Sequence, residues 1–398
     1  KTGDDYDPPH PPLRGTFSHQ GRRNVVDGHF GWGWIPFALT IALFSTNLHA
    51  QETPAARIAP FFQPPAEFAD LGSYRSPLMF ADGRVAKTPE EWAQRRKEIL
   101  DDWRGRIGGR PLIERPQFEV VGEERRGTFL QRKVNVEVAF DRTTPGYLLI
   151  PDGPGPHPAV LVVFYEPETA VGIGGKPKRE FARQLAEHGF ACLSIGFDPR
   201  PPVLDPSKWE PPMQPLAYLA DVASNALTAM RNIPEIDPNR IGVMGHSYGG
   251  KWAMFAACLD DRFACGVWSD PGVAFDEERR SVNYWEPWYL GWEPGKTRKP
   301  GLITPADPRT GAYKKMIADG RDLHELQALM PPRPFLVSGG AEDQPKRWRP
   351  LNHVRAVDAL LGVSNGVALT SRPAHDPTDE SNAQIVAFFE SVLKPSPR

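Results

Sequence analysis

A Gly-x-Ser-x-Gly turn between an apolar strand and an apolar helix constrains this sequence more than any other feature. Residues 241–245 are apolar and short enough for a buried strand, and residues 248–257 continue as an apolar helix. Gly245 and Gly249 flank Ser247, and they leave no side chains at the place where helix and strand nearly touch. The pattern predicts a strained turn that lifts the serine hydroxyl clear of a sheet, which is the geometry of a nucleophile elbow.

The overall charge is balanced. The 398 residues include 47 basic and 49 acidic side chains, which gives a formal net charge of -2 at pH 7. These charges are scattered rather than grouped in blocks, so we expect no nucleic-acid partner and no attraction to an anionic membrane surface. The 44 prolines favour ordered irregular loops, and the 11 tryptophans are sufficient to line a carbohydrate site as well as a core.

The segment 31–50 has the order of features that is typical of a secretory signal peptide. Two arginines at 22–23 precede an apolar centre at 35–44, which is too short to span a bilayer, and the segment ends at the small residue Ala50. We therefore expect residues 1–50 to be a leader and signal peptide that is cleaved near Ala50. The mature protein would be secreted or periplasmic, without stable membrane association after cleavage, and a membrane anchor is the alternative.

The remaining chain divides into an extension and a domain of alternating strands and helices. Residues 51–115 predict a proline-rich extension with one helix, which runs from Thr88 to about Arg104 and is capped by Thr88. From Ala159 onward, apolar strands alternate with helices, which is typical of a mostly parallel sheet that is covered on both faces. Strands are predicted at 117–121, 129–140, 146–150, 159–164, 191–196, 241–245, 263–268, 334–337 and 367–370, and helices at 177–188, 217–231, 322–329, 348–361 and 380–393.

This order of elements, with antiparallel strands first and the elbow in mid-chain, resembles the α/β-hydrolase fold over residues 116–398. The resemblance implies an α/β fold with a mostly parallel central sheet flanked by helices. An insertion at about 272–321 follows the strand at 263–268, which corresponds to the sixth strand of that fold. The insertion is rich in aromatic residues and too long for a simple connection, and we expect its Trp285 and Trp288 to bind substrate.

A serine hydroxyl becomes a useful nucleophile when an imidazole takes its proton and a carboxylate holds the other imidazole nitrogen. In the α/β-hydrolase fold these groups follow the chain order serine, acid, histidine. His375 lies between the last strand and the last helix, where the base belongs. Asp343 follows the penultimate strand and is the favoured acid. Asp270, after the preceding strand, is the alternative acid, and Glu342 is a third candidate.

The same chemistry requires N–H donors for the oxyanion that forms on the substrate carbonyl. The elbow itself presents the backbone N–H of Tyr248. A second donor is expected from the loop after the strand at 159–164, where Tyr165 and Glu166 are the candidates.

The elbow sequence Gly-His-Ser-Tyr-Gly-Gly-Lys, residues 245–251, is similar to the Gly-Cys-Ser-Arg-x-Gly-Lys signature of glucuronoyl esterases. The resemblance implies that Lys251, one helical turn after the serine, contacts sugar hydroxyls, and that Trp348 stacks on substrate. Asp270 falls where that family often has its acid. A histidine and a tyrosine replace the cysteine and the arginine of the signature, and the proline- and tryptophan-rich surroundings are also similar to secreted acetylxylan esterases.

These features predict a secreted serine carboxylic-ester hydrolase that acts on an acetyl or glucuronoyl ester of a polysaccharide or oligosaccharide. A peptidase of the same fold and a catalytically silent binding module are the alternatives. We expect no cofactor and no metal, because the three cysteines have no metal-ligand spacing. Cys258 and Cys265 either pair or are buried as small apolar side chains.

Overall fold

The computed structural model describes residues 53–140, 142–198, 200, 205–209 and 212–394. The predicted leader and the cleavage near Ala50 lie outside this range. Residues 51–398 form one compact unit.

A single nine-stranded sheet forms the centre of the described chain. Its strands are β1 (Phe118–Arg126), β2 (Phe129–Ala139), β3 (Arg142–Pro151), β4 (His157–Phe164), β5 (Ala191–Gly196), β6 (Ile236–His246), β7 (Cys265–Ser269), β8 (Phe335–Gly339) and β9 (Val367–Ser371). They lie in the order β1-β2-β3-β5-β4-β6-β7-β8-β9. The first three pairs in this order, β1–β2, β2–β3 and β3–β5, are antiparallel. The remaining five pairs, from β5–β4 to β8–β9, are parallel. The predicted mostly parallel sheet with an antiparallel edge is therefore confirmed.

Helices cover both faces of this sheet. They are α1 (Pro54–Ile58), α2 (Pro89–Ile107), α3 (Pro167–Ala170), α4 (Phe181–Glu187), α5 (Pro215–Arg231), α6 (Tyr248–Leu259), α7 (Gly311–Ala318), α8 (Leu323–Gln327), α9 (Trp348–Leu360) and α10 (Asp379–Leu393). The predicted helix of the extension is α2, where the Thr88 side chain accepts a hydrogen bond from the Glu91 N–H at 3.2 Å. Within the described residues, no helix combines the length and the apolar character that crossing a membrane requires.

The strands bury both of their faces, as a parallel sheet requires. Every residue of β4 is buried, and its side chains alternate between two apolar clusters. Leu161 and Val163 belong to the cluster that contains Trp252 of α6, whereas Val160 and Val162 belong to the cluster that contains Phe389 of α10. The two clusters hold the sheet between layers of helices.

The extension is part of this packing. Ile58 of α1 is 1% exposed and lies in the same apolar cluster as Phe389. Further along, the His353 side chain contacts the carbonyl oxygen of Leu71 at 3.0 Å, and the His324 side chain contacts that of Arg75 at 2.6 Å. Apolar contacts and imidazole hydrogen bonds therefore hold the extension against α8, α9 and α10.

The insertion between β7 and α8 contains the helix α7, which the sequence did not predict. Several of its aromatic residues pack inward, and Tyr284 and Tyr313 are fully buried. The three cysteines, Cys192, Cys258 and Cys265, are buried and free, so the structure has the unpaired state of Cys258 and Cys265.

The imidazole of His324 is expected to make folding stability depend on pH. Burial lowers the pKa of His324 from 6.5 to about 4, although the hydrogen bond with Arg75 opposes that shift. A histidine whose pKa is lower in the folded state destabilises the fold as the pH falls from about 6.5 to 4, by about 3 kcal/mol for this shift. In His324→Gln, where the amide can donate to the same carbonyl, urea unfolding at pH 7 and pH 4.5 should show a smaller loss than in the wild type. An equal loss in both proteins would contradict this role.

Candidate active site

Ser247 stands at the turn between β6 and α6, with φ 56° and ψ −115°. A non-glycine residue rarely adopts this conformation. The turn is tight because a methyl group at Gly245 would lie 2.2 Å from the carbonyl oxygen of Gly249, and one at Gly249 would lie 2.1 Å from that of Val163. The Ser247 N–H donates to the Ser269 carbonyl at 2.7 Å, and the residue is only half-buried. The predicted strand–turn–helix geometry is therefore present, with the serine at the carboxyl edge of the sheet.

His375 lies in the loop after β9, and its Nδ1 is 2.7 Å from the Asp270 carboxylate. Asp270 follows β7 and is 1% exposed, whereas the side chain of His375 is 34% exposed. Burial alone would raise the pKa of Asp270, but the hydrogen bond with His375 and the nearby Arg372 cation lower it below its usual value. The carboxylate is thus held ionised against the imidazole.

Asp343, the acid that the sequence favoured, is not the residue beside His375. Its carboxylate accepts hydrogen bonds from the N–H groups of Gly272 at 2.8 Å and Val273 at 2.7 Å. Burial, with the neighbouring charge of Asp270, raises the pKa of Asp343 to about 6. The preference for Asp343 is therefore corrected: the alternative, Asp270, occupies the position that a carboxylate needs to orient His375.

The carboxylate of the third candidate acid, Glu342, is paired with an arginine of the insertion and not with His375. Its carboxylate accepts from Arg279 at 2.7 Å. Its backbone N–H, by contrast, donates to Asp270 at 3.1 Å.

Two further residues at this site were not predicted as functional. The buried Arg372 donates to the carbonyl oxygens of Ser338 at 2.7 Å and His375 at 2.6 Å, and it thereby fixes the loop that carries the imidazole. The ring of His246 packs against the ring of His375, with the two centroids 4.7 Å apart. Burial and the charges of nearby His375 and Arg179 hold the pKa of His246 well below its usual value. Neither residue carries a sequence signal, because the contact of Arg372 with Ser338 and that of His246 with His375 join segments that are distant in the chain.

The candidate oxyanion donors lie in two elements that meet beside Ser247. The N–H of Tyr248 opens α6, and its phenol donates to the Phe197 carbonyl at 2.6 Å. The rings of Tyr248 and Tyr165 are stacked with centroids 4.3 Å apart. Glu166 accepts from Lys176 at 2.8 Å and from the Thr169 hydroxyl. Stacking therefore fixes the loop after β4 against the elbow, while the Glu166 carboxylate is engaged within that loop.

Lys251 does not reach solvent. Its ammonium donates to the carbonyl oxygens of Pro271 at 2.6 Å and Ser281 at 3.2 Å, and it lies 4.9 Å from the centre of the Tyr284 ring. The side chain is 3% exposed, and burial lowers the pKa of Lys251 to about 8. The predicted sugar contact is corrected: these carbonyl oxygens hold the lysine inside the insertion.

The three candidate tryptophans differ in position. Trp285 is fully buried, and its indole N–H donates to the Gly301 carbonyl at 2.8 Å. Trp348 is 2% exposed. The expected stacking on substrate is therefore corrected for both residues, because no ring face is open. Trp288 is half-buried, and it alone of the three keeps surface that a ligand can contact.

Comparison with known proteins identifies the fold. A sequence profile of the prolyl oligopeptidase family matches residues 219–318, which include the elbow. A search of curated proteins finds no match.

Several solved structures are similar over most of the chain. A glucuronoyl esterase from Solibacter usitatus has a TM-score of 0.64 and 19% identity, and the match covers 80% of this chain and 97% of that one. A carbohydrate esterase family 15 glucuronoyl esterase from Caldicellulosiruptor kristjansonii has a TM-score of 0.59 and 20% identity, with 82% and 92% covered. A promiscuous esterase of the same family from a marine bacterial metagenome has a TM-score of 0.59 and 18% identity, with 80% and 97% covered. These similarities confirm that the chain has the α/β-hydrolase fold.

The position of Lys251 leads to a prediction about stability. In Lys251→Met the carbonyl oxygens of Pro271 and Ser281 lose their buried donor, and we expect the free energy of unfolding to fall by about 2 kcal/mol. Lys315→Met, at an exposed site on α7, is the matched control and should change it by less than about 0.5 kcal/mol. Urea unfolding of the three proteins measures both effects, and equal stability of Lys251→Met and the wild type would contradict the buried role.

Proposed function

We propose that the protein is a serine esterase that hydrolyses a carboxylic ester of a polysaccharide or oligosaccharide. In this proposal Ser247 is the nucleophile, His375 is the general base and Asp270 is the acid that orients it. The observation that carries the proposal is the 2.7 Å contact between His375 Nδ1 and the Asp270 carboxylate, in the loops beside the strained Ser247 turn. That arrangement is the one by which a serine hydroxyl is activated.

The first half of the reaction forms an acyl-enzyme. Ser247 Oγ attacks the ester carbonyl carbon while His375 Nε2 takes the hydroxyl proton, and the resulting imidazolium is stabilised by the Asp270 carboxylate. When the tetrahedral intermediate collapses, the bond to the leaving oxygen breaks, and His375 gives its proton to the departing alcohol. The low pKa of Asp270 matches this role, because an ionised partner favours the charged imidazole.

The second half of the reaction repeats these steps with water. His375 takes a proton from a water molecule, the hydroxide attacks the acyl carbon, and collapse returns the proton to Ser247 Oγ with release of the carboxylic acid. In both halves the carbonyl oxygen carries negative charge. The backbone N–H of Tyr248 donates to it at the positive end of α6, and an N–H from the loop at Tyr165 is the second donor.

A carbohydrate ester is the best-supported substrate class. The elbow sequence is similar to the glucuronoyl esterase signature. Two glucuronoyl esterases of the same fold align with this chain over more than nine-tenths of their own length. The glycan would lie along the carboxyl edge of the sheet beside Ser247. The half-buried ring of Trp288 offers an aromatic surface there, because its centroid is 6.2 Å from that of Tyr289, which is 6.2 Å from that of Tyr248. Secretion or periplasmic export follows from the signal-like segment at 31–50.

A peptidase is the second candidate, because the prolyl oligopeptidase profile covers the elbow. One assay separates the candidates: the purified protein is incubated with acetylated xylan, with benzyl glucuronate and with a proline p-nitroanilide peptide. Release of acetate or of benzyl alcohol supports the esterase and identifies the leaving group. Cleavage of the peptide alone would replace the esterase with the peptidase, and no turnover of any substrate would favour the binding module.

Removal of the nucleophile or the base is expected to abolish turnover without unfolding the protein. Ser247→Ala and His375→Ala should each lower kcat by about 10³-fold or more, because both groups act in the same proton transfer. For the same reason the double variant should be little slower than either single variant. Initial rates on the ester that the wild type hydrolyses, with thermal melting as the control for folding, test this. A Ser247→Ala protein close to wild type in rate would exclude the mechanism.

A further inference from the structure

The loops after β7 and β8 bind each other through two aspartates. The Asp270 carboxylate accepts from the N–H groups of Gly340 at 2.7 Å and Asp343 at 2.9 Å. In return, the Asp343 carboxylate accepts from the N–H groups of Gly272 at 2.8 Å and Val273 at 2.7 Å. Each loop therefore supplies the carboxylate that the backbone of the other loop binds, and we call this arrangement the aspartate clasp.

The loop after β7 contains a backbone conformation that is unfavourable for a residue with a side chain. Asp270 has φ 53° and Gly272 has φ 81°. The left-handed region is disfavoured for a residue with a side chain. The hydrogen bonds from Gly272 and Val273 to Asp343 hold the chain immediately after that turn. They thereby fix the direction in which the Asp270 side chain leaves the backbone.

The Asp343 side chain has no role of its own at the imidazole. It is fully buried, and each of its two oxygens accepts an N–H of the neighbouring loop. Burial and the charge of Asp270 both oppose its ionisation. An asparagine would avoid that cost, but it has only one acceptor oxygen, and its amide N–H would face a second N–H. A carboxylate suits this position because each of its two oxygens accepts one of the two successive backbone N–H groups.

We propose that Asp343 is a positioning residue of the ester hydrolysis, which acts by holding residues 272–273 so that the Asp270 carboxylate faces His375. This inference rests on the proposed function, in which Asp270 orients the imidazole. Asp343 contacts neither the substrate nor the reacting atoms in this scheme. Its whole effect on the rate passes through Asp270.

The test is a double-mutant cycle on the ester substrate with Asp270→Asn, Asp343→Asn and the combined variant. A shift of about 1 Å at a reacting group costs about 10²-fold in rate, so Asp343→Asn should lower kcat by about 10²-fold and leave KM within about twofold. Asp270→Asn should lower kcat by about 10⁴-fold, because the amide holds the imidazole in the wrong tautomer. The combined variant should be no slower than Asp270→Asn, since the clasp then has no catalytic carboxylate to position.

Asp358→Asn is the matched control. Asp358 is another buried aspartate, 4% exposed, and burial raises its pKa to about 7. Asp358 lies close to Gly366, at the amino end of β9 and away from the site. The kcat of Asp358→Asn should therefore equal that of the wild type. If thermal melting finds Asp343→Asn unfolded, Asp343→Ser, which keeps one acceptor in a smaller volume, is measured with the same expected loss.

Two results would overturn the inference. One is a folded Asp343→Asn with the kcat of the wild type. The other is a combined variant that is slower than Asp270→Asn by the full factor of the single Asp343 change, which would mean an independent action. In either case a strong loss in Asp270→Asn leaves the proposed function in place. Full activity of Asp270→Asn would instead remove the proposed acid and the positioning role with it.

Discussion

The close approach of three backbone segments at the Ser247 turn is the constraint on which the site depends. The start of α6 lies so near β4 and β6 that a methyl group at Gly249 would be 2.1 Å from the Val163 carbonyl. Only glycine at positions 245 and 249 permits this distance. This close approach forces Ser247 into a backbone conformation that is otherwise disfavoured. The packing of the buried apolar clusters on both sheet faces offsets the cost of that conformation. The close approach of these segments therefore holds Ser247 at the turn between β6 and α6.

The rest of the site follows from strand order. Because β6, β7, β8 and β9 are adjacent and parallel, the loops after them meet at one edge of the sheet. Ser247, Asp270, Asp343 and His375 each come from a different one of these loops. Arg372 ties its own loop to β8 through the carbonyl oxygen of Ser338, and the aspartate clasp ties the loops after β7 and β8 to each other. These buried hydrogen bonds fix the relative positions of the loops. A site of this kind is rigid because its parts are tied to one another as well as to the sheet.

The sequence predicted the elements and the elbow because these depend on local patterns. A short apolar strand, two glycines and an apolar helix define the Ser247 turn without reference to the rest of the chain. The choice between Asp270 and Asp343 depends instead on the left-handed turn at Asp270 and on backbone donors 70 to 73 residues away. Lys251 was expected at the cleft from its helical spacing, but the carbonyl oxygens of the insertion bind it. The spacing of residues along the sequence does not predict contacts of this kind between distant segments.

The reactivity of the serine is the central claim, and labelling with a fluorophosphonate measures it most directly, since the reagent forms an adduct with an activated serine without need of the natural ester. Mass mapping of the labelled protein locates the adduct. We expect one adduct per chain, on the peptide that contains Ser247, and none in Ser247→Ala. A wild-type protein that remains unlabelled, or an adduct on any other serine, would contradict it.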